Sequence, residues 1–581
     1  MMSLSFTRRF ANMFGVTFLL VMAWKFILLA GTAQPIPAND AFGYDGAVVN
    51  YLLNGHYTNP SLAIPFPFSA TTFFCTYPPL YQAVLFLWMS MFGPTALSAM
   101  WFHWVLFGLY ALTLLAIFRR LKTPAWAVNV AGLFLLGITF DDRPDGLAHL
   151  LGMLAVYAWV RSVEWSAKSR GWSWRAQLDP APQRSAGLQP ALDAQAITTV
   201  ATKGTLAQPA DGYKPVTDRR SGAMSSCGWP WLASLLVVLA LGTNPEIGGL
   251  YFGWLWLLTL GAADWRKQPF PGLPMALMVM APVVLVALVK YGRPDIWAGF
   301  MEHAGQTPSY TGWRRPAPGD VLKVIRTIPA ILFIGVLLLP RLRGLAFHRR
   351  LATEPETDYP ASLLLYSAMV ISLGLTAGIL YLFAADWILI LAHFQPLMVG
   401  IFLTLAAREK ASWRGWLVPV WVGLVLLVSV RIVGMSTWGV ACARDVNEKA
   451  ALQMVRTELD KLPPDATVVM SSAYLYDAMN HPGRRTFIHE DWTHRADEPP
   501  GKLNADTMAL IKLKPAALIL TQFDYYRRYQ IPLAELGERP GQVTVKMTNT
   551  ARVRAPDSFP QFRQVVQHIA WAPVIVEFEW K

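Results

Sequence analysis

Long apolar runs closed by short polar turns fill the first 434 residues, and short apolar runs alternating with polar stretches follow from about Ala443. Runs at about 11–31, 96–118, 124–140, 146–162, 229–243, 247–263, 273–290, 327–340, 361–383, 387–407 and 415–434 predict about eleven membrane-spanning helices. The apolar segment Pro78–Phe92 is too short to span hydrocarbon, which takes ~20 residues. It is expected to lie at or dip into the outer interface. With that choice Arg119, Arg120 and Lys122 stay inside, as do Arg266 and Lys267 and the arginines at 341, 343, 349 and 350. The N-terminus is then inside and the C-terminal part outside. The loop of about 291–326, with Arg293, Arg314, Arg315, Lys323 and Arg326, is the one outer loop rich in cations.

Two stretches break the helical pattern. Residues 163–228 are rich in Ala, Gln, Pro, Ser and Arg without periodic apolar positions, and are expected to be a disordered cytoplasmic insertion. Beyond the spans, Asp445–Leu462 reads as an amphipathic helix ended by Pro463-Pro464. Apolar runs at Thr467–Met470, Ala516–Thr521 and Val543–Met547 read as strands. The fold class expected is thus a polytopic α-helical membrane protein with a small extracytoplasmic α/β domain at its C-terminal end. Residues 1–434 form the transmembrane part, 33–95 its first outer loop with interfacial helices, and 435–581 the soluble domain. His489-Glu490-Asp491 and His494 read as a solvated loop rather than a metal site.

Composition agrees with a membrane chain: 54% of the 581 residues are hydrophobic and only 15% charged, against about 25% charged in soluble domains. The net charge of +13 arises from cations set mostly between apolar runs, as topology signals are, so no nucleic-acid partner is expected. Cys75, Cys227 and Cys442 give neither metal-ligand spacing nor a disulfide framework, although Cys75 and Cys442 fall on the same outer side.

The chemistry concentrates in the first outer loop. Asp40 and Asp45 stand there among residues 33–95 without a single Lys or Arg. A carboxylate kept at an interface without local cations is costly, and so marks a functional candidate. Lys25, in the outer half of the first span, is an intramembrane cation; it either serves the site or snorkels to the interface. Glu246 lies between two closely spaced outer ends and either faces the same cavity or caps a helix.

The ordered pattern Asp40, Tyr44, Leu52-Leu53-x-Gly55, Tyr77-Pro78-Pro79-Leu80-Tyr81 and Phe92-Gly93 resembles the first outer loop of the GT-C glycosyltransferases. The branch it resembles contains lipid A aminoarabinose transferase and the protein O-mannosyltransferases. Arg143-Pro144-Asp145, at the outer end of a span, is similar to that family's second acidic position. The resemblance implies transfer of a sugar from a polyprenyl-phosphate donor to a glycan, lipid or protein acceptor, on the outer face of a bacterial inner membrane. It implies Asp40 as the base, with Asp45 as the substitute should the helix begin earlier, and Asp145 as a residue orienting substrate, metal or Arg143. Tyr44, Tyr77 and Tyr81 would line the substrate, and cations at Arg143, Arg314, Arg315 and Lys25 would meet the lipid phosphate. His393 falls where relatives carry an Arg-Tyr-x-x-Pro-like run, so a phosphate contact and a core histidine are both open for it. No cofactor is required on this reading, and a divalent metal ion is left open.

The alternative is a transporter or flippase for a lipid-linked saccharide. Transporters carry repeat symmetry and spans broken near the midplane, and no repeat is found here. A membrane-anchored sensor would leave the acidic outer loops without a purpose.

Overall fold

The computed structural model describes residues 41–63, 66–75, 78–138, 143–169, 228–262, 272–306, 393–408, 448–481, 486–489, 505–521, 524–525, 529–538, 543–549 and 573–581. The predicted spans at 11–31, 327–340, 361–383 and 415–434 lie outside these residues.

Residues 41–92 are built of short helices. Helix α1 (Ala41–Asn54) is followed by a 3-10 turn (Pro60–Leu62) and the short α2 (Pro67–Thr71). Helix α3 (Leu80–Phe92) closes the loop. The two motif glycines have one physical role: Gly55 (φ 75°) and Gly93 (φ 88°) adopt the left-handed conformation at which α1 and α3 stop. Their amides reach back to Tyr51 O (2.9 Å) and Met89 O (2.8 Å). Asn59 folds the turn onto α1, its Nδ2 donating to Gly43 O at 3.2 Å and its Oδ1 accepting from Ser61 N at 3.2 Å. The 13 residues of α3 rise roughly 20 Å at ~1.5 Å each, short of a ~30 Å hydrocarbon core.

Helix α4 (Ala96–Arg120) is, among the described residues, the one unbroken helix long and apolar enough to cross a membrane. Thr95 caps its start by accepting from Ser98 N at 3.2 Å, and Arg119 and Arg120 close its end. The expected span 124–140 is a shorter helix, α5 (Ala125–Leu133), that tightens into a 3-10 turn over Phe134–Gly137. Helix α6 (Asp145–Ser169) runs past the boundary expected at 163, so helix continues into the start of the insertion. Helices α7 (Gly228–Leu241) and α8 (Pro245–Ala262) form a hairpin packed on α6. Helix α9 (Gly272–Gly292) bends by 110° into α10 (Pro294–Gln306), where the sequence reading had placed a loop. Pro294 supplies the reason, since a proline fits the first turn of a new helix and cannot continue the old one. Helix α11 (Gln395–Arg408) covers the second half of the span expected at 387–407 and packs on α5.

The C-terminal unit is an α/β domain. Its elements are α12 (Glu448–Lys461), β1 (Thr467–Met470), α13 (Ser472–Met479), β2 (Thr486–His489), α14 (Ala505–Leu513), β3 (Ala517–Thr521), α15 (Gln530–Gly537), β4 (Val543–Asn549) and β5 (Pro573–Trp580). The strands form one sheet in the order β2-β1-β3-β5-β4. Strand β1 pairs in parallel with both β2 and β3, while β5 runs antiparallel between β3 and β4. Strands β2 and β5 were not foreseen. His489, expected in a loop, ends β2 and pairs in register with Met470.

The domain does not stand apart from the helices. One apolar cluster runs from Tyr81, Leu85 and Phe102 through Tyr110 and Trp254 and continues into Ala473, Tyr474, Leu475 and Val468. Helix α13 lies on α1, β2 lies on the turn Pro60–Leu62, and Asn480 Nδ2 donates to Pro94 O at 3.1 Å.

Candidate active site

The first acidic position is organised by Asp45. It stands in the second turn of α1, and its side chain is wholly buried. Oδ1 accepts the Tyr81 hydroxyl of α3 at 2.7 Å, and Oδ2 accepts the Tyr476 hydroxyl of α13 at 2.5 Å. The same Tyr81 oxygen lies 3.0 Å from His103 Nε2 on α4. Helices α1, α3 and α13 therefore meet on one carboxylate, and α4 reaches it through Tyr81. Burial pushes the Asp45 carboxyl up from 3.8 to about 7, and the bonds from Tyr476 and Tyr81 offset part of that rise by favouring its charged form. Tyr44, one residue back, is half-buried at the edge of the apolar cluster.

The second acidic position is Asp145, half-buried at the start of α6. Its Oδ1 accepts from Asn244 Nδ2 at 2.7 Å. Burial pushes its carboxyl up, and the charge of exposed Arg143 and the Asn244 bond offset part of that rise. Asn244 also caps α8, its Oδ1 accepting from Glu246 N (3.0 Å) and Ile247 N (3.2 Å). Of the two readings open for Glu246, the cap thus belongs to Asn244, and Glu246 follows in the first helical turn.

Helix α3 connects the two positions. Tyr81 binds Asp45, and the adjacent Leu80 N donates to Gly242 O (3.4 Å) in the turn that carries Asn244. Gln82, the next residue, is also buried.

One turn below Asp145 on α6 sits His149, fully buried, its ring stacked on His393 at 4.2 Å between centroids and 12° between planes. His149 Nδ1 lies 3.4 Å from the Tyr251 hydroxyl, and Tyr110 donates to the His393 carbonyl. Tyr251 and Phe394 pack around the pair. His393 is therefore part of a buried aromatic cluster, the partner of a histidine that the sequence had not marked. Close packing holds the cluster in place: a Cβ at Gly152 would lie 2.2 Å from the Tyr251 ring.

Asp40, Lys25, Tyr77, Arg314 and Arg315 lie outside the described residues. In sequence, Asp40 immediately precedes the first residue of α1. Of the remaining expected residues, the structure joins Asp45 to Tyr81 directly, and Asp145 to Arg143 electrostatically. Sequence reasoning missed Tyr476, His103, His149 and Asn244. Asn244-Pro245-Glu246, a capping residue followed by proline, carried a legible signal. The other three gain meaning only from distant partners. Among the described residues no group of three or more His, Cys, Asp or Glu is placed to hold a metal ion. Cys75 is a buried free thiol whose pKa is raised by burial.

No family model and no curated protein matches this chain. It is similar to solved structures of ArnT from Cupriavidus metallidurans. The apo form matches at 13% identity and TM-score 0.49, over 96% of this chain and 97% of that one. The form bound to undecaprenyl phosphate matches at 14% and 0.46, over 97% of both chains. It is also similar to the apo oligosaccharyltransferase of Archaeoglobus fulgidus, at 10% identity and TM-score 0.44, over 89% of this chain and 71% of that one.

Proposed function

We propose that the chain is a membrane glycosyltransferase that moves a sugar from a polyprenyl-phosphate donor to a glycan, lipid or protein acceptor at the outer face of a bacterial inner membrane. The observation that carries this reading is the joining of the two acidic positions through α3. Tyr81 holds Asp45 and Leu80 holds the turn of Asn244, which holds Asp145. Residues distant in sequence thus stand around one junction at the ends of α1, α3, α6 and α8.

In the proposed mechanism Asp40 takes the proton of the acceptor hydroxyl as the sugar carbon becomes oxocarbenium-like and the bond to the lipid phosphate breaks. Asp45 already accepts two tyrosine hydroxyls. It therefore anchors the helix that begins beside Asp40, in preference to serving as the base itself. Asp145 and Arg143 stand at the second edge, where a carboxylate orients substrate and a guanidinium meets phosphate. Lys25, Arg314 and Arg315 complete the cationic set in this reading, with residues 1–434 as the membrane part and 435–581 as the outer domain. The bend between α9 and α10 falls at the end of a 21-residue helix, not at a midpoint as a transporter's broken span would.

Mass spectrometry of envelope lipids and glycans, from cells with and without the protein, tests the reading. A product one sugar heavier should disappear with the protein. Asp40→Asn, expressed and inserted at the normal level, should lower its formation by roughly 10²–10⁴-fold. Identical profiles with and without the protein, or full product from Asp40→Asn, would overturn it.

A further inference from the structure

Tyr476 lies 431 residues from Asp45 in sequence, on a different domain, and its hydroxyl is 2.5 Å from the carboxylate. Tyr476 is itself buried, next to Tyr474 and Leu475, which belong to the apolar cluster shared with the helical bundle. An aromatic side chain at a domain contact needs no hydroxyl to fill space; phenylalanine would serve. What the hydroxyl adds is a donor aimed at the second oxygen of a carboxylate whose first oxygen is already held by Tyr81. A carboxylate held at both oxygens from two sides has its plane and position fixed, whereas one held at a single oxygen swings about that bond. The residue so fixed sits on α1, five positions after Asp40 and four after the helix begins.

We propose that Tyr476 is a positioning residue for sugar transfer. The C-terminal domain supplies it to fix Asp45, and through Asp45 the first turns of the helix that follows Asp40. The active site is then complete only with that domain docked. This rests on the glycosyltransferase reading above and adds to it a role for the C-terminal domain.

Two further features support a built contact. The helix that carries Tyr476 is braced within its own domain, since Arg456 of α12 grips Asp477 through Nε (2.9 Å) and Nη2 (2.5 Å). A second polar contact, Asn480 to Pro94 O, sets the same helix against the start of α4. The helix that carries Tyr476 is therefore held at Asp477 and Asn480 by bonds that do not involve Asp45.

The test uses full-length protein in membranes, with Tyr476→Phe, Asp45→Asn and the double variant compared for product formation and for amide hydrogen exchange over Ala41–Asn54. Tyr476→Phe keeps the ring and removes only the donor. It should lower kcat by roughly 10- to 100-fold, the range that a small misplacement of a reacting group produces. KM should change less than about threefold, since no substrate contact is removed, and exchange in the first turns of α1 should quicken. The double variant should be no worse than the poorer single one, because both remove the same bond. Normal kcat in Tyr476→Phe, unchanged exchange in α1, or additive losses in the double variant would each overturn the proposal. Exchange reads the Tyr476–Asp45 coupling whether or not transfer is detected. Quickened exchange in a protein whose wild type forms no product would therefore locate the failure in the glycosyltransferase reading.

Discussion

The two acidic positions differ in how they are held. Asp45 is enclosed, both oxygens bonded to tyrosines from two different domains, with His103 behind one of them. Asp145 is half-buried, bonded by one amide and biased by an exposed arginine. A fully enclosed carboxylate is suited to fixing structure, and a partly open one beside a cation is suited to meeting a ligand. Both were read from the sequence as acids in outer loops, and only the surroundings separate them.

Removing each carboxylate is the sharpest way to break the comparison. Asp45→Ala takes a buried acceptor from the Tyr81 and Tyr476 hydroxyls, Tyr81 keeping His103 Nε2 at 3.0 Å, at about 1–3 kcal/mol for a buried hydrogen-bond partner lost. Asp145→Ala strips one amide bond at a partly open edge, about 1 kcal/mol or less. Thermal unfolding of the purified protein should therefore drop well for Asp45→Ala and little for Asp145→Ala. Equal shifts would abolish the distinction.

Acidity offers a second test. The Asp45 carboxyl titrates near 7 when folded and near 3.8 when exposed, so between these values the folded protein holds a proton that the unfolded chain has released. The contribution of Asp45 is complete below about pH 4 and is lost as pH rises toward about 7. The groups facing it are Tyr81, Tyr476 and, through Tyr81, His103, while Asp477 beside Tyr476 is paired with Arg456. Thermal midpoints measured from pH 4.5 to 7.5 should fall for the wild type and fall less steeply for Asp45→Asn, Asp145, also raised by burial, carrying part of the slope. An unchanged slope in the variant would assign the dependence elsewhere.

A further test lies at Asn244. Asn244→Ala removes both the cap of α8 and the partner of Asp145. The cap alone is worth about 1 kcal/mol. A matching fall in the thermal midpoint, with Asn244→Asp recovering the cap but not the bond to Asp145, would separate the two roles.

Much of the scaffold was legible because its signals are local. Thr467–Met470 reads directly as a strand, and the apolar stretch of α4 reads as a span. Strand β5 was passed over because Glu577 and Glu579 interrupt its apolar run. Yet Pro573, Val574, Ile575, Val576 and Phe578 are buried, and Glu577 faces Lys546 of β4 at 3.4 Å. Strand β2 carries two apolar residues, Phe487 and Ile488, where the equally short β1 carries Val468, Val469 and Met470, so its signal is weaker. Tyr476, His103 and His149 could not have been found locally: each is an ordinary aromatic on an apolar helix until its partner, tens to hundreds of residues away, is placed beside it.

The span of 431 residues between Asp45 and Tyr476 also sets an order of events during biosynthesis. At about 5–20 residues per second, roughly 20 to 90 seconds separate the making of the carboxylate from the making of its second partner. For that interval Asp45 has Tyr81 to bind but lacks the α13 contact, and nothing yet covers that face of α1. The nascent protein thus carries an open, water-accessible acid through most of its insertion. The contact forms only when the domain that carries α13 arrives, so a ribosome that stalls before α13 leaves Asp45 without its Tyr476 partner.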